Sequence, residues 1–289
     1  MANRMPRLDA APARLAAALA AGLWLAGGAD AQAQGSLQAR YTISMAAVMI
    51  GHVTWSVDIG ERLYTTTASG KTGGVLSFLV NGDGGVIARG TVVDGHLRPT
   101  YFASHILDED GDTELRIVFE SGFAREQILR GMPPAPDTVP VNAADKFGVA
   151  DPLSAVLITA AQGSNQLDPV NCDQRLMIFD GRRRYDLALS YKRNDQVRIA
   201  SGYAGPVLVC GVVLRPIAGY RSGSLLVKYV ASRRDMEIWF APIEGTSALA
   251  PVRVLIPTAL GTLRIEAEHF RSASAPSPAQ GPPEFAPGR

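Results

Sequence analysis

Apolar and polar residues alternate with the period of a β-strand through most of the chain. Ser36–Ala47 mixes this alternation with β-branched and aromatic residues, and Gly51–Ile59 puts Val53, Trp55, Val57 and Ile59 on one face. Arg62–Ser69 is threonine-rich and suits a third strand. The apolar run Val75–Val80 fits a short helix or a strand equally well, since period alone does not separate them. Gly85–Val93 and His96–Ile106 flank Asp94-Gly95, a type I′ hairpin signal. Thr113–Glu120 and Ala124–Leu129 form a further hairpin after the acidic turn Asp108–Asp112.

Gly131–Lys146 is rich in proline and reads as a connector. The best helix signal follows it, over about 151–162. Asp151 is a good N-cap, Pro152 stands where its missing N–H costs nothing, and Gly163 is placed to end the helix. Strands then resume at Arg175–Phe179 and Arg182–Tyr191, around a second Asp-Gly pair, with Val197–Ala200 after them. Pro206–Pro216 is apolar on both faces and predicts a central strand covered on both sides. Ser224–Ala231, Asp235–Pro242, Val252–Ile256 and Thr262–Phe270 continue the strand pattern. The fold expected is mainly β: a strongly curled antiparallel sheet, or incomplete barrel, wrapping the helix at 151–162.

The two ends read differently. Arg4, Arg7 and Arg14 precede the apolar run Leu15–Ala26, and the small-x-small sequences Ala29–Ala31 and Ala31–Ala33 follow. That order is the signature of a secretory signal peptide cut after Ala31 or Ala33. The run is too short to span a bilayer comfortably. The expected organisation is a signal peptide over 1–33, one curled β domain over 34–270 and a disordered Ala/Ser/Pro-rich tail over 271–289. Removing 1–33 takes away three basic and two acidic residues, turning a formal charge of +1 into zero. Such a chain has no global field to attract nucleic acid.

An exported chain meets an oxidising compartment, which here points to the periplasm. Cys172 and Cys210 are the two cysteines, so they are expected to form one disulfide, worth about 4 kcal/mol by loop closure. Four N/S ligands for structural zinc are not grouped, and no metal or cofactor is expected. The nucleophile-elbow, zinc-protease and phosphate-loop motifs are absent. The densest chemical signature is Ile178–Leu187, IFDGRRRYDL. Arg182, Arg184 and Tyr185, with Arg215, Tyr220 and Arg221, could gather an anion, a ligand or a partner. The plainer reading is a hairpin whose arginines are solvated or paired. Asp180 and Asp186 serve better as turn former and arginine partner than as a glycosidase pair.

Several segments carry a resemblance in order. They are Asp151–Ala155, Cys172, Phe179–Asp186, Cys210, Arg215–Arg221, Glu237–Pro242 and Pro251–Arg253. Together they resemble the exported bacterial proteins of the domain of unknown function 3108 family, over about 36–268. The resemblance transfers no catalytic residues. The curled sheet it implies is also similar to that of periplasmic lipoprotein carriers and of envelope integrity proteins of α-proteobacteria. The function expected is non-enzymatic support of the cell envelope, with a lipid or acyl ligand or a protein partner on the concave face. The alternatives are an envelope hydrolase acting on a glycan or ester, and an interaction scaffold without a ligand cavity.

Overall fold

The computed structural model describes residues 34–72, 82–108, 111–131 and 133–274. The expected signal peptide, the run Val75–Val80 and the tail beyond residue 274 lie outside these. Seven strands come first: β1 (Gly35–Met45), β2 (Val48–Ile59), β3 (Leu63–Thr72), β4 (Gly82–Val93), β5 (His96–Asp108), β6 (Gly111–Glu120) and β7 (Phe123–Arg130). They form an antiparallel meander in which each pairs with the next. After a connector come the one-turn helix α1 (Pro152–Ala155) and the short strand β8 (Ile158–Thr159). The second half holds β9 (Arg175–Phe179), β10 (Arg184–Arg198), β11 (Ser201–Gly202) and β12 (Ala204–Ala218). It continues with α2 (Leu225–Ser232), β13 (Met236–Pro242), β14 (Ala248–Thr258) and β15 (Gly261–Ala273).

β15 pairs with β1, so the last strand joins the two halves into one antiparallel sheet that runs from β7 to β9. Those two edges are tied by the extended segment 147–150. Phe147 bridges Phe123 on β7, and Ala150 bridges Ile178 on β9. Gly148 N–H donates to Gly122 O at 2.8 Å, and Ala150 N–H to Met177 O at 2.8 Å. The result is a nearly closed barrel whose last gap is filled by a strap of four residues.

The helix expected at 151–162 is corrected to the single turn Pro152–Ala155. Its start is as read: the Asp151 carboxylate accepts from Leu153 N–H and Ser154 N–H. Propensity yields to packing at Leu157 and Ile158, which are 3% and 1% exposed as the chain extends to pair with β14. The α1 turn touches β3, β4, β5 and β9, so Leu153 plugs the space between the halves. The strand expected at Ser224–Ala231 is also corrected. Ser224 caps a helix there, accepting from Val227 N–H, and Val230 is buried beside β12.

β12 is covered on both sides. Val207 and Val209 pack with Leu37, Val57 and Phe270, whereas Leu208, Cys210 and Val212 pack with Ile238, Phe240 and Val230. Cys172 and Cys210 are disulfide-bonded and fully buried in the second group. The described residues form one compact unit through their own contacts.

Candidate functional site

The arginine-rich hairpin folds around Asp180. Its Oδ1 accepts from Arg182 N–H and Arg183 N–H, closing a four-residue turn with Gly181 at φ 94°. The two-residue turn expected at Asp180-Gly181 is therefore longer, and Arg182 lies in the turn rather than on the strand. Arg184 is 5% exposed and donates to Asp186 and to Tyr185 O. Asp186 is 0% exposed and also receives Arg175. A buried carboxylate held by two guanidiniums is a structural junction, since leaving either charge alone in the interior is costly.

Burial pushes the Tyr185 hydroxyl well above its ordinary pKa. Tyr220 is raised for the same reason, and the Arg183 guanidinium lies 6.0 Å from its ring centre. Gly219 sits against the backbone of Arg182 and Arg183, so the 180–185 and 216–221 turns are neighbours. Arg182 reaches Gly131. Arg221 pairs with Asp137 at 3.0 Å, and Arg215 is exposed opposite Asp186 in the ladder.

A second polar group is sealed inside. Tyr64, Ser154 and Asp151 are 2%, 4% and 0% exposed. The Tyr64 and Ser154 hydroxyls share a 2.6 Å hydrogen bond, and Ser154 is hydrogen-bonded to Asp151. Asp151 Oδ2 is buried with no hydrogen-bond partner. Burial raises the Asp151 carboxyl from 3.8 to about 6.

The open site lies elsewhere. β14 and β15 run together from the turn back to the pair Arg253↔Glu266, and there they part. Upstream of Arg253, β14 pairs with β13 and β8; beyond Glu266, β15 pairs with β1 and β11. The tip of the long β10–β12 hairpin swings across to reach β15. Tyr203 N–H donates to Phe270 O at 2.9 Å, and only a glycine fits at 202, where a Cβ would meet Phe270 O at 2.1 Å. The parting strands and the hairpin tip leave a cleft of about 390 Å³. Val197, Ile199, Val252 and Ala267 give it an apolar floor, with Arg198, Arg253, Glu266 and Glu268 around them.

One side of the cleft is a charged rack. The Arg253 and Arg193 guanidiniums lie 4.4 and 5.0 Å from the Trp239 ring centre. Glu237 accepts from Trp239 Nε1 at 2.9 Å, Lys192 at 3.0 Å and Arg193 at 3.2 Å. Burial works against the Glu237 carboxylate, but these donors hold it down at about 2. Arg253 Nε donates to Glu266 at 2.7 Å. Arg198, by contrast, has no ion-pair partner among the described residues and is exposed at the rim. A volume in the range of small-ligand pockets, an apolar floor, the cation of Arg198 and the carboxylate of Glu268, which is hydrogen-bonded to Thr42 and without an ion-pair partner among the described residues, make a cleft that can hold an amphiphile with its charged end at Arg198.

Sequence reasoning did not single out these cleft residues. Two of the segments that carry the family resemblance, Glu237–Pro242 and Pro251–Arg253, build the rack. The comparison with known families agrees: the family described as protein of unknown function DUF3108 matches residues 40–268. The chain belongs to the DUF3108 family. No curated protein matches this family member. Among solved structures it is similar to a beta-barrel-like protein of domain of unknown function DUF1849 from Brucella abortus. The TM-score is 0.40 at 9% identity, covering 82% of this chain and 97% of that one. Among the described residues of this DUF3108 chain, no helix is long and apolar enough to cross a membrane, and no His, Cys, Asp and Glu side chains group as a metal site.

Proposed function

We propose that this DUF3108 protein is a non-enzymatic periplasmic protein of the cell envelope that holds an amphipathic ligand, an acyl chain with an anionic head, in the cleft between β14 and β15. The observation that carries the reading is the pairing of an apolar floor, Val197, Ile199, Val252 and Ala267, with the unpaired Arg198 at the mouth. The floor takes hydrocarbon out of water, and the guanidinium takes a carboxylate or phosphate. The buried disulfide supports an oxidising location. The engagement of Asp180 in its turn and of Asp186 with two arginines supports a binding role over a hydrolytic one.

The six residues singled out from the sequence, Arg182, Arg184, Tyr185, Arg215, Tyr220 and Arg221, lie at the end of the β10–β12 hairpin away from the cleft and act there as a structural junction, with Arg215 and Arg221 as its exposed members and Arg215 open to a partner. The test is displacement of a fluorescent long-chain fatty acid, together with mass spectrometry of lipids that copurify. Ala200→Trp, at an exposed position on the cleft, should block the probe, and Arg198→Glu should weaken it about tenfold. A wild-type protein that neither binds the probe nor carries lipid sinks the reading.

A further inference from the structure

A hairpin turn with two central residues at positive φ is normally built from Asn-Gly or Asp-Gly. Two turns of this protein come close to that rule: Asp94-Gly95 at φ 51° and 77°, and Ser121-Gly122 at φ 51° and 81°. The β1–β2 turn departs from it. Ala46 and Ala47 stand at φ 48° and 68°. The left-handed region disfavours any residue with a Cβ, so this turn sacrifices stability. What the alanine pair supplies in return is a turn without a polar side chain.

The residues that follow continue that character. Val48 and Met49 are 65% and 58% exposed. The β14–β15 turn beside them carries Ala259 and Leu260, the latter 68% exposed. The two turns touch: Ala46 N–H donates to Thr262 O at 3.2 Å, and a Cβ at Gly261 would lie 2.8 Å from that of Ala46. No charged residue occurs from Ile43 to Gly51 or from Val254 to Leu263. Ile43, Met45 and Leu263 are buried just behind the turns and hold them in place. Exposed apolar side chains on two projecting turns do not form a groove for a peptide. They form an apolar prow at one end of the sheet.

Charge surrounds this prow on one side. Glu237 pairs with Leu255, so β13 begins beside the last residues of β14, and Arg234 stands just ahead of it. The Arg234 guanidinium donates to the backbone carbonyls of Ala231 and Arg233, and no carboxylate contacts it among the described residues. Lys228 on α2 is exposed and equally without an acidic partner there. The two acids nearby in sequence are taken, Asp235 by Arg233 and Glu237 by Lys192 and Arg193. On the other side of the turns the described acids of this end stand three, four and five strands from β1: Asp83 on β4, Asp108 on β5 and Asp112 on β6.

We propose that this end of the barrel docks on a lipid bilayer. Val48, Met49 and Leu260 enter the headgroup boundary, and Lys228 and Arg234 contact anionic headgroups. Apolar area and basic charge act together in such interfacial binding, each being weak alone. Bilayer docking stands independently of the cleft, although an amphiphile-binding protein gains access to its ligand by it.

The test is cosedimentation of the compact unit from Ala33 onward with phosphatidylcholine vesicles, with and without phosphatidylglycerol. The wild type should sediment with the mixed vesicles. Val48→Asp/Met49→Asp/Leu260→Asp should lose that binding by tenfold or more, because three apolar side chains no longer leave water. Circular dichroism should be unchanged, because all three side chains are exposed. Lys228→Glu/Arg234→Glu should abolish the preference for phosphatidylglycerol. Ala200→Trp, which blocks the cleft, should sediment like the wild type, and this separates docking from ligand binding. The proposal is overturned if the wild type stays in the supernatant with both vesicles, if the triple variant sediments undiminished, or if Ala200→Trp alone removes binding.

Discussion

In β2 the buried side chains are Trp55, Val57 and Ile59, the residues between them are half-buried, and Thr54 just before them is exposed. In β12 six consecutive residues, Val207–Val212, are all buried. Both strands lie in one antiparallel sheet, yet they live in different layers. The first half of the sheet covers a core on one face and meets water on the other. The second half is an inner layer, with the α1 plug and the first half on one side and α2, the disulfide and residues 158–172 on the other. The difference says where the protein's stability is concentrated. It also says where a surface is free to vary.

The largest test removes the staple of the inner layer. Cys172→Ser/Cys210→Ser should lower unfolding stability by about 4 kcal/mol in urea titrations, because the cross-link spans 38 residues. Loss of less than about 1 kcal/mol would mean that the inner layer does not depend on it. Truncation comes next. Leu208→Ala, at 0% exposure, should cost about 3 kcal/mol, whereas Thr54→Ala on β2 should change stability by less than about 0.5 kcal/mol. Equal effects would erase the distinction between the two halves.

Asp151 tests the join between them. Its carboxyl titrates near 6 in the fold, because burial penalises the charge, against 3.8 ordinarily. The folded protein therefore binds the proton more tightly than the unfolded chain. The stabilisation is complete below about pH 4 and is lost as pH rises through about 6, amounting to about 3 kcal/mol. Urea midpoints measured from pH 4 to 7 should fall over that window, and Asp151→Asn, still a good N-cap, should remove this component. The smallest effect is a gain. Ala46→Asn/Ala47→Gly should stabilise the first half by about 1 kcal/mol by relieving two left-handed alanines. Thermal melts that show no gain would refute strain at this turn.

The strands of the first half were legible because one-sided burial writes its own alternation, as Val53–Ile59 illustrates. β12 was legible for the opposite reason: only a strand covered on both faces tolerates PVLVCGVVL. Leu225–Ser232 was not, since its run LLVKYVAS is compatible with either period and only the Ser224 cap tips it to a helix. The helix at 151 was legible at its start, through Asp151 and Pro152. Its end was not, because Leu157 and Ile158 leave the helix to fill the interior, a decision taken by distant strands. The cleft was illegible on the same principle. It is a gap between two strands that separate after Arg253 and Glu266, and no local pattern marks a parting of neighbours. The segments that build its rack were visible only as a family signature.

The pairing of β1 with β15 fixes an order of events in time. Ser36 lies opposite Ala273, so among the described strands β1 has β2 as its sole neighbour until β15 arrives. β11 likewise awaits β15. A ribosome, which releases the chain from its N-terminus, therefore leaves an open sheet for most of synthesis, with one edge of Gly35–Met45 unsatisfied and available to any other strand. The thirteen residues of β15 close three open edges at once, those of β1, β11 and β14. A chain stopped short of Gly261 keeps all three edges and is the form most exposed to aggregation.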